Sequence, residues 1–281
     1  MSIQALESFI NRQVGGSKAL LTLFEPLAAR VGSMEYTDML ADPALWSANL
    51  AKTGRLLDMD GLMLGLDPEI CLKPDAFAIA VDAFSRMVQT EQNYFGCIAA
   101  MAGPLTLAEK MLGNADQVAE LKSQTVEMAE AYCKNRPDIL ILREGRALGG
   151  AHIGMPHRKA YNTLKNMAAY YSVPLGIYIE DYHQEVIPDL AKLKLPFVFF
   201  GADQEGKAPS IAALKDLAPE VDGIGVPLDF KDPEQARQQA KSYMEELQGV
   251  NFLFTNLREL DNSTDLEATL ALVSDLRSIG S

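Results

Sequence analysis

The stretch FGCIAAMAGPLTLAEKMLG (Phe95–Gly113) contains the unit from which this fold is built. A short continuous apolar run, Phe95–Ala102, is followed at once by Gly103-Pro104 and then by a segment of helical composition. A continuous rather than alternating apolar run is typical of a strand buried on both faces, as in a parallel sheet covered by helices. Proline suits the first turn of a helix, where its missing N–H has no intrahelical partner. The stretch therefore predicts one strand-turn-helix unit.

The same unit recurs along the chain, and strand-then-helix repeated eight times in 281 residues predicts a (β/α)8 TIM barrel, with residues 1–281 as a single domain. The rival fold is an open doubly wound sheet. It would be favoured by a glycine-rich phosphate-binding fingerprint after the first strand, which this sequence lacks. The eight apolar runs are Leu20–Phe24, Gly61–Leu66, Phe95–Ala102, Asp138–Leu142, Pro174–Ile179, Pro196–Phe200, Gly223–Val226 and Asn251–Phe254.

Segments with helix-start signals follow these runs. Asp42-Pro43 and Asp232-Pro233 each place a capping side chain before a proline that suits the first helical position. We therefore expect helices at Ala44–Leu57, Asp75–Thr90, Leu105–Tyr132, Arg158–Tyr171, Glu185–Leu193, Ala208–Leu217, Pro233–Leu247 and Thr264–Ile279.

Composition excludes several classes of protein. The net charge of −13 disfavours nucleic acid and anionic membranes as partners, because phosphate binding needs clustered Lys and Arg. The three cysteines, Cys71, Cys97 and Cys133, are widely spaced and indicate neither a disulfide framework nor a cysteine-rich zinc site. No apolar run approaches the roughly 18 residues that span a bilayer. Met1–Asn11 lacks the basic and apolar regions of a secretory signal, so we expect a cytoplasmic protein.

Polar side chains gather just after the predicted strands, which is where barrel enzymes build their sites. A carboxylate follows six of the eight strands, and all three histidines of the chain lie in these segments. Loops face water, so each acid taken singly has a simpler explanation as a surface residue. The predicted catalytic residues are Glu180, His183, Asp181, Tyr178, Glu144 and Asp67, and the predicted substrate-binding residues are Glu25, Arg143, His152, Asp203 and Asn256.

These residues predict an acidic active site at the C-terminal ends of the strands. Several carboxylates facing one cavity repel each other and raise each other's pKa values, and a cation, a metal ion or a bound proton relieves that repulsion. Histidine is the usual general acid or base near neutral pH and the commonest metal ligand. The acidic mouth therefore suits a methylated amine or a substrate that is activated by protonation.

The stretch Gly103–Ala108 resembles the uroporphyrinogen decarboxylase superfamily, in which a Gly-Pro-Phe/Leu-Thr-Leu-Ala sequence opens a helix. Other parts are similar in order. Tyr36–Asp67 looks like the family's first helix and second strand, Arg136–Glu144 like its fourth strand, and Val173–Asp181 like its fifth. The resemblance covers most of the chain and implies a (β/α)8 barrel.

The superfamily has two main branches, and the decarboxylase branch fits this chain poorly. That branch carries an N-terminal Arg-Gln-Ala-Gly-Arg motif that holds substrate carboxylates. The corresponding region here reads EPLAARVGSMEY (Glu25–Tyr36), in which Arg30 is the one remnant. The chain therefore resembles a divergent member nearer the corrinoid-dependent methyltransferase branch.

Many methyltransferases of this kind bind zinc through a His-x-Cys pair at strand five and a later Cys near strand eight. Those first two positions read Tyr178 and Glu180 here, and Asn251–Arg258 contains no cysteine. The usual zinc site is thus absent. Because zinc also accepts imidazole and carboxylate ligands, a site made of Glu180 and His183 with Glu144 or His152 is the alternative.

Three functions stay open at this point. The resemblance implies methyl transfer from a small methylated substrate to a corrinoid protein, in which Glu180, Asp181 and His183 position or protonate the methyl donor. The second is a decarboxylase-like lyase, in which Tyr178, Arg143 and an acid such as Asp67 handle a smaller carboxylate. The third is a barrel without catalysis that serves as a binding or partner subunit. Family members often form homodimers, although the sequence itself indicates no interface.

Overall fold

The parallel sheet that the sequence predicts is present in the computed structural model, which describes residues 2–13, 17–149 and 153–279. Within these ranges seven strands pair in chain order, each parallel to the next. They correspond to the second to eighth predicted apolar runs. The strands are β1 Gly61–Leu64, β2 Gly96–Ala102, β3 Ile139–Glu144, β4 Leu175–Ile179, β5 Phe197–Phe200, β6 Gly223–Leu228 and β7 Phe252–Asn256.

The first predicted run occupies the remaining place in the barrel, between β7 and β1. Leu20 forms a parallel bridge with Phe254, and the Leu21 N–H donates to the Phe254 carbonyl at 2.9 Å. On the other side, the Asp60 N–H donates to the Leu20 carbonyl at 3.1 Å. The prediction of an α/β TIM barrel is therefore confirmed.

The prediction of a regular strand over Leu20–Phe24 was wrong, because the ladder stops after one bridge. Leu23 pairs with a side chain instead of a strand backbone. Its N–H donates to the Asn256 Oδ1 at 2.7 Å, and its carbonyl accepts from the Asn256 Nδ2 at 2.9 Å and from the Leu260 N–H at 2.8 Å. One buried amide thus continues the closure of the barrel past the end of β7.

Helices cover the outside of the sheet. The described α-helices are α1 Ser2–Ile10, α2 Glu25–Val31, α3 Tyr36–Leu40, α4 Pro43–Leu56, α5 Pro74–Glu91, α6 Pro104–Leu112, α7 Lys122–Cys133, α8 Arg146–Gly149, α9 Met155–Tyr170, α10 Ile187–Leu190, α11 Ile211–Leu217, α12 Pro233–Glu246 and α13 Leu266–Ile279. Short 3-10 helices occupy Pro68–Leu72, Ala115–Ala119, Gln184–Val186, Ala191–Leu193 and Ala218–Glu220. None of the helices in the described ranges is both long and apolar enough to cross a membrane.

Two predicted helices are divided into shorter segments. The single helix expected over Leu105–Tyr132 is divided into α6 and α7, because Gly113 adopts a left-handed conformation (φ +74°) that ends α6. The segment Glu185–Leu193 forms short 3-10 and α turns around Pro188, whose ring nitrogen cannot donate a helical hydrogen bond.

Helix α1 fills the N-terminal end of the barrel. Its side chains Leu6 and Phe9 are buried, and the Phe9 ring centroid lies 5.0 Å from that of Phe197 and 6.1 Å from that of Phe199. Gly96 on β2 leaves room for Leu6, because a Cβ there would lie 2.0 Å from a Leu6 methyl. The interior is therefore apolar and packed at this end, and the charged side chains lie at the opposite one.

We predict that Asn256→Ala lowers the free energy of unfolding by roughly 2–4 kcal/mol, because it leaves the buried Leu23 N–H without a partner and removes one of the two hydrogen bonds to the Leu23 carbonyl. Urea denaturation measures the change. The control is Asn262→Ala, which removes the same amide from an exposed position. A change for Asn256→Ala no larger than that for Asn262→Ala would show that the side chain does not hold the closing segment.

Candidate functional site

Closure of the barrel brings Glu25, the first residue of α2, into the mouth. Its carboxyl group is fully buried and accepts hydrogen bonds from the Trp46 Nε1 at 3.2 Å and the Gly65 N–H at 2.9 Å, while the Tyr36 hydroxyl donates to its other oxygen at 3.3 Å. Burial raises the pKa of Glu25 to about 8, and the charge of Glu259 adds to the shift. Glu25 is therefore mostly protonated at neutral pH.

Gly65 makes this contact possible. It follows β1 with φ +93°, a backbone conformation that residues other than glycine rarely adopt. A Cβ there would also lie 2.6 Å from the Ala100 carbonyl oxygen and 2.7 Å from the Tyr132 hydroxyl. The backbone N–H can thus reach Glu25 only because residue 65 has no side chain.

Arg143, near the end of β3, provides the positive charge of the mouth. Its Nε donates to Glu180 Oε1 at 2.8 Å and its Nη1 to the Leu66 carbonyl at 2.9 Å. Burial acts to lower the pKa of Arg143, but the Glu180 carboxylate and other nearby charges outweigh it, so the net pKa is raised. The guanidinium stays charged and is paired with the Glu180 carboxylate.

Glu259, three residues past β7, completes the cluster and was not among the predicted site residues. Burial raises its pKa to about 7; Arg143 opposes this shift, and the carboxylates of Glu180 and Asp67 add to it. Within the described ranges its carboxyl group has neither a hydrogen bond nor an ion pair. The sequence did contain a signal for Glu259. Site residues are expected just after the strands, and Glu259 is an acid that follows the last one.

Tyr178 lies below these charges, on β4. Its side chain is 1% exposed and packs in the barrel interior. Its hydroxyl oxygen lies 2.2 Å from where a Cβ on Gly201 would be, so the glycine leaves room for it. Burial raises the pKa of Tyr178, with smaller effects from Glu180 and Glu259, so the hydroxyl is protonated. Among the described residues this hydroxyl has no hydrogen-bond partner.

Asp67 is the remaining acid of the mouth. Its Oδ1 accepts from the Glu69 N–H at 2.9 Å and caps the 3-10 helix Pro68–Leu72. Its charge acts on both Glu25 and Glu259.

The structure brings together five of the predicted residues with three that the sequence analysis did not select, and we call this set the mouth cluster. The mouth cluster consists of Glu25, Tyr36, Trp46, Asp67, Arg143, Tyr178, Glu180 and Glu259.

Glu144 lies outside this cluster, at the start of α6. It is fully buried and accepts from the Leu105 N–H at 3.1 Å, the Thr106 N–H at 2.8 Å, the Thr106 Oγ1 at 2.6 Å and the Tyr161 hydroxyl at 2.5 Å. Gly103 leaves the space for this carboxyl group, since a Cβ there would lie 2.1 Å from it. These contacts are those of a helix cap, which explains why the Gly-Pro-Leu-Thr turn and Glu144 occur together.

Asp203 and Asn256 also bind the backbone of this chain. Asp203 Oδ1 accepts from the Glu205 and Lys207 N–H groups at 2.9 and 2.8 Å, and its Oδ2 accepts from the Gln184 Nε2 at 2.6 Å. Asn256 holds the closing segment described above. Their role in substrate binding stays a prediction, and their observed contacts stabilise loops.

The predicted group of Glu180, Asp181 and His183 is not assembled. Glu180 faces Arg143, whereas Asp181 and His183 are exposed. Asp181 has φ +53°, and the chain turns there, so that His183 borders a separate groove of about 450 Å³ beside Asp203. His152 lies outside the described residues.

The residues present do not fit the zinc site that the resemblance implies. Among the residues that the structure describes, no group of three or more His, Cys, Asp or Glu side chains could hold a metal ion. The three alternative ligands lie apart from one another. Glu180 is paired with Arg143, and His183 is exposed in another groove. Glu144 is buried against α6. We therefore assign no step of the chemistry to zinc.

A further groove of about 350 Å³ lies between α7 and α9 and is lined mainly by apolar side chains such as Val118, Met155 and Pro156. It lies outside the barrel and contains no acid-base group beyond two lysines, Lys122 and Lys159. The mouth is the better candidate because it brings together buried charges and a hydroxyl that has no partner among the described residues.

Solved structures with the same fold include methyltransferases. A methyltransferase from Methanosarcina mazei aligns over 100% of this chain and 99% of its own, with a TM-score of 0.75 and 11% sequence identity. The homocysteine methyltransferase MmuM from Escherichia coli, in its apo form, aligns over 98% of this chain and 100% of its own, with a TM-score of 0.54 and 13% identity. No protein-family model and no curated protein sequence matches the chain. At these identities the likeness establishes the shared barrel fold.

We predict that Glu25→Gln makes the protein more stable than the wild type at pH 9, by roughly 2–4 kcal/mol, and changes it little at pH 5. The pKa of Glu25 is about 8 in the folded protein and 4.5 as a free side chain. The folded state therefore holds a proton that the unfolded state releases. The stability that this proton contributes is fully present below pH 4.5 and is lost as the pH rises through 8.

Urea denaturation at the two pH values tests this, with Glu35→Gln on the exposed turn before α3 as the control. Glutamine keeps an oxygen for Trp46 and Gly65. A Glu25→Gln variant less stable than the wild type at pH 9 would mean that the carboxylate form is favoured in the fold.

Proposed function

We propose that this protein is a divergent member of the uroporphyrinogen decarboxylase superfamily. In this proposal it transfers a methyl group from a small methylated compound to the corrinoid of a partner protein. The sequence resemblance over Gly103–Ala108 and the barrel fold that the chain shares with the Methanosarcina mazei methyltransferase support this assignment. The observation that carries it is Glu259, a half-buried carboxyl group at the mouth of the barrel that has no hydrogen bond or ion pair among the described residues and whose pKa burial raises to about 7.

Methyl transfer needs control of one proton at the leaving atom. A corrinoid held by the partner protein would supply the electron pair for the new bond to the methyl carbon. The bond between the methyl carbon and its leaving nitrogen or oxygen breaks, and both electrons of that bond go to the leaving atom. A protonated amine then departs neutral, whereas an ether oxygen must receive a proton as it leaves.

The residues of the mouth cluster suit this task. A carboxyl group with a pKa near 7 is present in both protonation states at neutral pH, which is the condition under which a general acid works best. Arg143 holds Glu180 in a fixed position beside it. The packed interior below Tyr178 closes the site away from solvent on that side, which strengthens the electrostatic interactions in the mouth.

A second candidate function is a binding subunit without catalysis, and one observation favours it. Glu180, predicted as a catalytic acid, is paired with Arg143 rather than free. The same pairing disfavours the decarboxylase-like alternative, because a substrate carboxylate would have to compete with Glu180 for the guanidinium. The excess of acids at the mouth also repels a carboxylate substrate.

We expect the purified protein to transfer methyl groups to cob(I)alamin, or to a corrinoid protein, from at least one member of a panel of methylamines and methoxy compounds. The loss of cob(I)alamin absorbance measures the rate. Glu259→Gln keeps the shape of the side chain and removes the proton, so it should lower kcat/KM by about 100-fold. The control is Glu245→Gln, the same change on the exposed face of α12.

Absence of transfer from every donor in the panel would contradict the methyltransferase proposal and favour the binding subunit. Equal rates for the wild type and Glu259→Gln would show that the transfer does not use this carboxyl group. Release of CO2 from uroporphyrinogen would support the decarboxylase alternative instead.

A further inference from the structure

We propose that the mouth cluster binds a small alkylammonium ion, with the Glu259 carboxylate as its counter-charge and the Tyr178 hydroxyl as the acceptor of an N–H hydrogen bond. Only one part of this proposal, the use of the bound ion as a methyl donor, rests on the proposed methyltransferase function. The binding site itself rests on the charges and the unpaired hydroxyl described below.

The first observation is the charge balance. With Glu25 protonated, the carboxylates of Asp67, Glu180 and Glu259 share a half-buried space with one described cation, Arg143. Arg143 is paired with Glu180 and donates to the Leu66 carbonyl. The remaining negative charge has no counter-ion in the part of the chain that the structure describes. Unpaired charge in a partly desolvated site is costly, and a bound cation removes that cost.

The second observation is independent of the acids. The Tyr178 side chain is 1% exposed, and no described group donates to its hydroxyl or accepts from it. A Cβ on Gly201 would lie 2.2 Å from this hydroxyl and 3.3 Å from the Glu180 Cβ, so the hydroxyl lies close to Glu180 and its partner Arg143. The charges of Glu180, Arg143 and Glu259 also act on the pKa of Tyr178. A ligand that donates a hydrogen bond satisfies this hydroxyl.

Together these features select the chemistry of the ligand. The acids attract a positive charge, and the hydroxyl oxygen accepts from an N–H group. A protonated methylamine offers both a charge and N–H donors, and its methyl group can face the apolar side chains around Tyr178. A neutral alcohol lacks the charge, and an anion is repelled.

A bare metal ion fits less well. The pKa of the Tyr178 hydroxyl is raised, so this oxygen is a neutral and weak ligand, and the acids of the described residues are not grouped for coordination.

Calorimetric titration of the purified full chain tests the proposal. The probes are methylammonium and tetramethylammonium chloride, with tert-butanol as a neutral molecule of similar size and with sodium and magnesium chloride at matched ionic strength. We expect both ammonium ions to bind and tert-butanol, sodium and magnesium not to bind at comparable concentrations. Binding of tert-butanol as tight as that of tetramethylammonium, or binding of magnesium alone, would overturn the proposal.

Two variants separate the two contacts. Glu259→Gln removes the counter-charge and should weaken both ammonium ions at least about tenfold. Tyr178→Phe removes the hydroxyl acceptor and should weaken methylammonium roughly 3- to 10-fold while leaving tetramethylammonium, which has no N–H, unchanged. Glu245→Gln on α12 is the control for both. Equal losses of the two ions in Tyr178→Phe would indicate a packing defect and not a hydrogen bond, and would overturn the role of the hydroxyl.

The pH dependence gives a further readout. Because the pKa of Glu259 is about 7, affinity for tetramethylammonium should rise roughly tenfold between pH 6 and pH 8. Glu259→Gln should remove most of that rise and leave a smaller one at the upper end of the range from Glu25, whose pKa is about 8. Affinity that is constant with pH in the wild type would contradict the role of Glu259. The titratable groups that act on Glu259, or on which it acts, are Arg143, Glu180, Asp67, Asp261, Glu25, Tyr36 and Tyr178.

Failure of this proposal and failure of the proposed function give different results. If alkylammonium ions bind but no methyl group reaches the corrinoid, the site holds and the methyltransferase assignment fails. If a neutral methoxy compound serves as donor and no ammonium ion binds, the methyltransferase assignment holds and the ammonium site fails.

Discussion

The closure of the barrel by residues 19–24 is the contact on which the rest of the structure depends. This segment is held on one side by Phe254 and Asn256 and on the other by Asp60. The Asp60 carboxylate accepts from the Leu20 N–H at 2.7 Å and from Arg277 Nη1 at 2.7 Å, so the last helix is tied to the same point. Glu25 is the next residue along the chain, and the closure fixes its position in the mouth.

The two ends of the barrel are built from different chemistry. At the N-terminal end, Leu6 and Phe9 fill the space beside the glycines of β2 and β6. At the C-terminal end, the inward positions carry Arg143, Tyr178 and Glu180. Burial, and after it the neighbouring carboxylates, raises the pKa values of Glu25 and Glu259, which is why these carboxyl groups hold protons near neutral pH. The site therefore carries a cost in stability that an uncharged mouth would not have.

The strands and the barrel could be predicted from the sequence because each buried strand is a continuous apolar run. The general location of the site could be predicted because the C-terminal ends of parallel strands meet at one edge. The roles of individual acids could not. Whether a carboxylate caps a helix, as Glu144 does, or faces the mouth, as Glu259 does, depends on which N–H groups the fold brings within reach of it.

The position of a loop residue, His183, could not be predicted from the sequence either. It follows Glu180 by three residues, but the left-handed conformation of Asp181 turns the chain and moves His183 to a different groove. Asn256 looked like a ligand group because it ends a strand, and its amide instead pairs with both backbone groups of Leu23. A polar residue at a strand end has several uses, and the sequence alone does not distinguish them.

A crystal structure of the protein grown with methylammonium chloride tests the central claim most directly, because it locates the cation relative to both groups at once. We expect the nitrogen within about 3.2 Å of the Tyr178 hydroxyl and within hydrogen-bonding distance of the Glu259 carboxylate. A mouth without the ion, in which Glu259 pairs with Arg143 and the Tyr178 hydroxyl bonds to another protein group, would contradict it.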